Sequence, residues 1–267
     1  MKKLLILLTV LIALGTSCKD DFLSVNEFNP NNASAVPANL VLPSALNNTA
    51  TNFTQPDNYS FIYLWYGGMS ISGGYSQPTN LTQYNLLNSS YEGIWSRSYT
   101  NLNNYDYIDK SATGNPKLQS YEAIAKIMKA YIFQGLVDVY GNVPYSQALQ
   151  TGTGILKPEY DDAQTIYNDL IVELDAAMDL IRTTAPDADE VGDYDIVYNG
   201  DMDLWLKFAN TLKLRILINQ SDMSGKAGDI ANAIATTPST AADYIGVGEG
   251  AWVNPGYQKS ADKMNPF

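Results

Sequence analysis

Apolar residues recur at three- and four-residue steps through several long stretches of this chain, which is the helical period. The fullest case is Leu118, Tyr121, Ile124, Ala125, Met128, Tyr131, Ile132, Gly135, Leu136 and Val139. Asn115 and Pro116 fit the N-cap and first helical position, and Gly141 and Pro144 fit the stop. A second stripe runs through Ala163, Ile166, Tyr167, Leu170, Ile171, Leu174, Ala177, Met178 and Ile181. Asp161 and Gln164 before it have the spacing of a capping box. Residues 201–220 form a third helix with Leu204, Trp205, Phe208, Ala209, Leu212 and Ile216 on its apolar side. Residues 90–110 form a fourth, through Ile94, Trp95, Tyr99, Leu102 and Ile108, with Trp95 expected in the core. A looser pattern over 40–53 predicts a helix interrupted near Pro43, and 226–235 predicts a short one. The expected fold class is therefore all-α, with long irregular loops between helices.

The segments between these helices differ in character. Residues 22–43 are rich in Asn, Pro, Ser and Ala without a lasting period, as an extended tether would be. Residues 58–88 concentrate aromatic rings and glycines around an amide- and hydroxyl-rich loop at 69–82. Loops of this kind carry binding functions more often than they carry a core. Sugar recognition needs flat aromatic faces beside amides and hydroxyls, and Tyr66, Tyr75, Gln77, Asn80 and Tyr84 supply both. The competing reading is that each tyrosine is a half-buried packing residue. Residues 183–198 hold Asp187, Asp189, Glu190, Asp193 and Asp195. Their spacing does not match an EF-hand loop, so a solvated acidic loop is expected there rather than a calcium site. Residues 243–267 are punctuated by Gly and Pro and read as strand or loop.

Composition narrows the chemistry. The net charge is −12 with no basic cluster, which argues against nucleic acid and against anionic lipid head groups. One cysteine, Cys18, and no histidine exclude an internal disulfide, Cys/His zinc sites and histidine-dependent triads. No catalytic residue, metal ligand or cofactor site is predicted. At the N-terminus, Lys2 and Lys3 precede an apolar run of eleven residues, Leu4 to Leu14. That run is short of the roughly 20 residues that span a bilayer. Gly15-Thr16-Ser17-Cys18 follows, as in a relaxed lipoprotein signal whose cysteine is acylated and becomes the new N-terminus. A simple secretory signal with an incidental cysteine is the alternative. The chain divides accordingly into a signal at 1–18, a tether at 19–43 and a helical domain at 44–267.

Two motifs carry a family resemblance. The first helix runs into Asp138, Tyr140, Gly141, Val143, Pro144, Tyr145 and Ala148; a later one carries Trp205, Lys207, Phe208, Ala209, Asn210, Leu212, Lys213 and Arg215. In this order, behind a lipoprotein signal, they resemble the SusD/RagB family of outer-membrane nutrient-binding lipoproteins of Bacteroidetes. The resemblance implies a scaffold of tetratricopeptide-like helix pairs, with the Tyr140–Tyr145 turn structural rather than catalytic. It implies a lipid-anchored, surface-exposed location, signalled by Cys18 and the acidic tract Lys19-Asp20-Asp21. It also implies a SusC-like TonB-dependent transporter as partner, to which a non-catalytic protein passes oligosaccharides. Peptide binding, as in the RagB branch, and a repeat-type adaptor without a small ligand are the alternatives. A glycosidase would need two carboxylates in one pocket, and nothing in the pattern places them so. Family members run to about twice this length, so the chain is expected to be an N-terminal part. Cys18→Ala is expected to move the protein from the membrane to the soluble fraction on cell fractionation; a variant still pelleting with membranes would contradict acylation at Cys18.

Overall fold

The computed structural model describes residues 36–54, 65–67, 80, 83–90, 92–223, 225–236, 241–253 and 259. Ala38–Phe267 forms one compact unit, and Met1–Pro37 a second of which only 36 and 37 are described. Cys18, the tether up to residue 35, Tyr75 and Gln77 therefore lie outside the described residues. Among the described residues the bounded α-helices are, in chain order, α1 (Ala38–Thr54), α2 (Glu92–Ala112), α3 (Gln119–Tyr140), α4 (Ala163–Arg182), α5 (Met202–Ile218) and α6 (Ala227–Thr236). Among the described residues there is no β-strand, and the isolated bridge is Val143 with Asp161. No described helix is long and apolar enough to cross a membrane.

Each helix packs on the next in sequence, and cross-helix pairs give the direction. Thr49 meets Tyr105 while Asn52 meets Ser98, so α1 and α2 are antiparallel. Thr113 meets Glu122 while Lys129 meets Asp109 and Asp106, so α2 and α3 are antiparallel. Gln119 meets Thr183 while Lys126 meets Glu173, which reverses α4 in turn. Lys213 meets Asp175 and Asn219 meets Tyr167, reversing α5 again. The result is the predicted all-α stack of helix pairs, in which α3 also touches α1 and α5.

That central position changes the reading of α3. Ala123, Ile127, Ala130, Phe133 and Val137, outside the predicted stripe, are buried with it, because neighbours cover several sides of the helix. Val139, placed in the stripe, is 55% exposed at the helix end. Asn115 does cap, but it caps the 3-10 turn Pro116–Leu118 that leads into α3, accepting the Lys117 N–H at 3.1 Å.

Three further local expectations are corrected. Pro43 does not interrupt α1, which runs unbroken from Ala38, so residues 38–43 are helix rather than tether. Pro43 is inside the helix, past its first turn, and forfeits one backbone bond at a cost of about 3 kcal/mol, which the burial of Leu42, Ala45 and Leu46 offsets. The cap of α4 is Asp162, whose carboxylate accepts the Thr165 N–H at 3.0 Å, and not Asp161. The acidic loop is only partly solvated: Asp195 is 1% exposed. Its carboxylate accepts the Trp205 indole N–H at 2.7 Å and the backbone N–H groups of Val197, Tyr198 and Gly200 at 3.0–3.2 Å.

The second motif tethers α5 from several directions. Trp205 lies under Tyr198 and Phe208 with edge-on ring contacts. Lys207 reaches Glu249 at 2.6 Å, and Asn210 donates to the Asp243 carbonyl at 3.0 Å. Lys213 pairs with Asp175 at 2.7 Å, and Arg215 donates to Gln134 Oε1 of α3 while its guanidinium lies 5.3 Å from the Tyr131 ring centre. The predicted extent of this helix shortens at its end, since α5 stops at Ile218.

Replacing Asp195 strands four donors in the interior. Asp195→Ala is expected to cost about 3 kcal/mol in urea unfolding, against less than about 0.5 kcal/mol for exposed Asp193→Ala. Equal effects for the two would contradict the buried role of Asp195.

Candidate functional site

Of the five residues singled out from the sequence, Tyr66, Asn80 and Tyr84 fall among the described residues, and all three are exposed. Trp65 and Tyr84 stack, with ring centroids 5.2 Å apart and planes inclined by 29°. The Tyr84 hydroxyl donates to the Trp65 carbonyl at 3.4 Å, and the Asn85 N–H closes a turn onto the Asn80 carbonyl at 2.8 Å. Tyr84 holds φ at +56°, a left-handed conformation that a tyrosine adopts only at a cost of about 1–3 kcal/mol. Its ring is nevertheless 65% exposed, so burial does not repay that cost, and Tyr66 beside Trp65 is 88% exposed. Packing accounts for little of either side chain. Asn80 is exposed on the same turn as Tyr84.

Trp65 was not among the predicted site residues, yet it is the surface on which Tyr84 rests. The signal was its place beside Tyr66 and Gly67; the partner sits nineteen residues away and no local pattern pairs them. A second ring cluster lies at the end of α3. Trp95 packs half-buried against the core, as expected, with Tyr99 tilted at 4.9 Å and Tyr140 edge-on at 5.2 Å. Tyr160, 64% exposed, stacks on it at 6.0 Å.

The turn after α3 positions this cluster. Gly141 has φ +74° and ψ −117°, open only to glycine, and its N–H closes on the Val137 carbonyl at 2.9 Å. The Pro144 carbonyl accepts the Tyr99 hydroxyl at 2.7 Å. Asp161 Oδ2 accepts the backbone N–H groups of Tyr145 and Ser146 at 2.8 and 2.9 Å, and Oδ1 accepts the Ser146 hydroxyl at 2.7 Å. Asn142 accepts the Ala163 N–H at 3.0 Å, tying the turn to the start of α4. Here the motif is structural: Pro144, Tyr145, Ser146 and Asn142 are each engaged with residues outside the turn. Burial, and then the hydrogen bond to Asp169 at 2.6 Å, push the Tyr145 hydroxyl up, so it stays a protonated donor.

A profile described as "Starch-binding associating with outer membrane", of the SusD-like kind, matches residues 30–260. The chain belongs to the SusD-like family. Among solved structures, a chitin-binding protein is 26% identical with a TM-score of 0.60, covering 74% of this chain and 42% of that one. A SusD/RagB family protein from Bacteroides thetaiotaomicron is 25% identical with a TM-score of 0.61, covering 78% and 44%. A chitin-binding SusD homolog from Flavobacterium johnsoniae shares the fold at 22% identity and a TM-score of 0.60, covering 76% and 43%. A search of the curated proteins returns no match. This SusD-like chain thus spans less than half the length of the solved relatives it matches.

The SusD-like turn carries a pH signature. Burial alone would raise the Asp161 carboxyl, but the hydrogen bonds from Ser146 and Tyr145 hold it below the usual carboxylate range. A depressed folded value stabilises above the unfolded pKa of about 3.9, and that contribution is lost as pH falls through the folded value. Asp161→Asn is expected to shrink the loss of thermal stability between about pH 5 and about pH 2. A variant losing as much as the parent over that interval would contradict this role.

Proposed function

We propose that this chain is a non-catalytic glycan-binding surface lipoprotein, and that the Trp65–Tyr84 pair with Tyr66 is its sugar-stacking platform. The observation that carries the reading is the exposed tyrosine at 84, held in a costly backbone conformation on the face of Trp65. An apolar ring kept open to solvent in this way offers a flat face to the C–H side of a sugar ring. Asn80, on the same turn, supplies amide groups for sugar hydroxyls; Tyr75 and Gln77 are assigned to the same surface from sequence. Family membership supports the ligand class, since the profile is described as starch-binding and a 26%-identical relative as chitin-binding.

Lipid attachment through Cys18 would tether the platform at the outer membrane. A TonB-dependent transporter of the SusC kind would receive the bound oligosaccharide. The description of the family as associating with the outer membrane supports this placement.

Isothermal titration against maltooligosaccharides and chitooligosaccharides tests the platform. Tyr84→Ala and Trp65→Ala are each expected to weaken binding by about tenfold or more, and exposed Tyr160→Ala to leave it unchanged. Binding insensitive to both platform substitutions would falsify the assignment. Absence of heat with either oligosaccharide series would remove those glycans as ligands.

A further inference from the structure

Asn199-Gly200 is the chain's only Asn-Gly dipeptide, and it closes the acidic loop just ahead of α5. Both residues are left-handed, with φ +53° and +81°. Asparagine tolerates that conformation better than most residues, and glycine adopts it freely. A Cβ at position 200 would stand 2.6 Å from the Gly192 backbone nitrogen, so only glycine fits there. The turn therefore demands the dipeptide most prone to deamidate, because no glycine side chain hinders the approach of its nitrogen to the asparagine amide. Asn199 is also exposed to water. The Gly200 nitrogen, however, is engaged: its N–H donates to Asp195 Oδ2 at 3.0 Å, while the Asn199 N–H donates to the Asp195 carbonyl at 2.9 Å. Asp195 is itself fixed by donors from Trp205, Val197 and Tyr198.

We propose that Asn199 is a latent deamidation site, locked by Asp195 and released when this loop opens. In the reaction the Gly200 nitrogen loses its proton and bonds to the side-chain carbonyl carbon of Asn199. The bond from that carbon to the amide nitrogen breaks, ammonia leaves carrying the proton, and a five-membered imide remains. Water then opens the ring at either carbonyl to give aspartate or isoaspartate; nothing is oxidised or reduced. Asp195 opposes the first step. Its hydrogen bond and its negative charge favour the protonated amide over the anion that attacks, and burial strengthens both. The two hydrogen bonds also hold the Asn199–Gly200 peptide plane in the turn, so ring closure waits for local opening. Isoaspartate would add a methylene to the main chain directly before Asp201, whose carboxylate caps α5. Modification here therefore loosens the start of α5.

Mass spectrometry of the tryptic peptide 183–207, taken from the full chain aged at neutral pH, reads the conversion of the Asn199 amide to acid. Asp195→Ala is expected to convert at least about tenfold faster than the parent. Ile166→Ala hollows the core at the far end of α5, where Tyr167 meets Asn219, and is expected to stay near the parent's rate. In the parent, the Gly200 amide is expected to exchange with deuterium at least about tenfold more slowly than in guanidinium chloride, which tests the lock even where Asp195→Ala does not fold. Asp195→Ala ageing no faster than the parent overturns the proposal. Equal acceleration by Ile166→Ala also overturns it, since global unfolding would then be the gate. So does a Gly200 amide exchanging at the unfolded rate, or a native parent that deamidates as fast as the unfolded chain.

Discussion

A helix buried on several sides can exist only if its neighbours arrive in the right places, and α3 imposes that condition on the molecule. Ile124, Ile127 and Leu136 are fully enclosed, and each large-to-small change at such positions costs about 2–5 kcal/mol. α2 and α4 flank α3 in antiparallel fashion, while α1 and α5 close on it from beyond them. The polar side chains caught in this arrangement have to be matched. Gln134, with no exposed surface, accepts from Arg215 of α5, and Glu122, raised by burial, accepts from Thr113 just past α2.

The two family motifs supply those matches. The turn after α3 ends the helix with a glycine-only conformation and delivers Pro144, Tyr145 and Ser146 to Tyr99, Asp169 and Asp161. The α5 motif gives one side chain each to α3, α4 and the acidic loop, and two to the segment after α6. Lys213 shows why such residues pair closely: its ammonium is nearly buried, and without Asp175 its desolvation would be uncompensated. These motifs hold the scaffold. The proposed ligand surface lies on irregular segments, where backbone geometry is free to vary without disturbing the stack.

The proposed platform and the charged lining between α2, α3 and α4 use different physics. Tyr66 and Tyr84 stand in water, Tyr84 with its ring resting on half-buried Trp65. The lining between α2, α3 and α4 holds charges that satisfy one another, with Lys126 and Lys129 both paired to Asp109. The first suits extended chains with many sugar faces.

Periodicity alone determined the existence and approximate limits of α2 through α6, because helical spacing of apolar residues is a local property. It also determined the glycine stop of α3 and the aromatic richness of 58–88. Pairings across the stack were decided only in three dimensions. Asp161 reads locally as a cap, yet its carboxylate is taken by donors fifteen and sixteen residues away, and Asp162 caps instead. Asp195 reads as one more solvated acid, but Trp205 buries it. Trp65 becomes part of a candidate site only when the chain returns at Tyr84. In each case the deciding partner is remote in sequence: a local pattern records which residues seek burial or a hydrogen bond, and the packing of helices decides who supplies it.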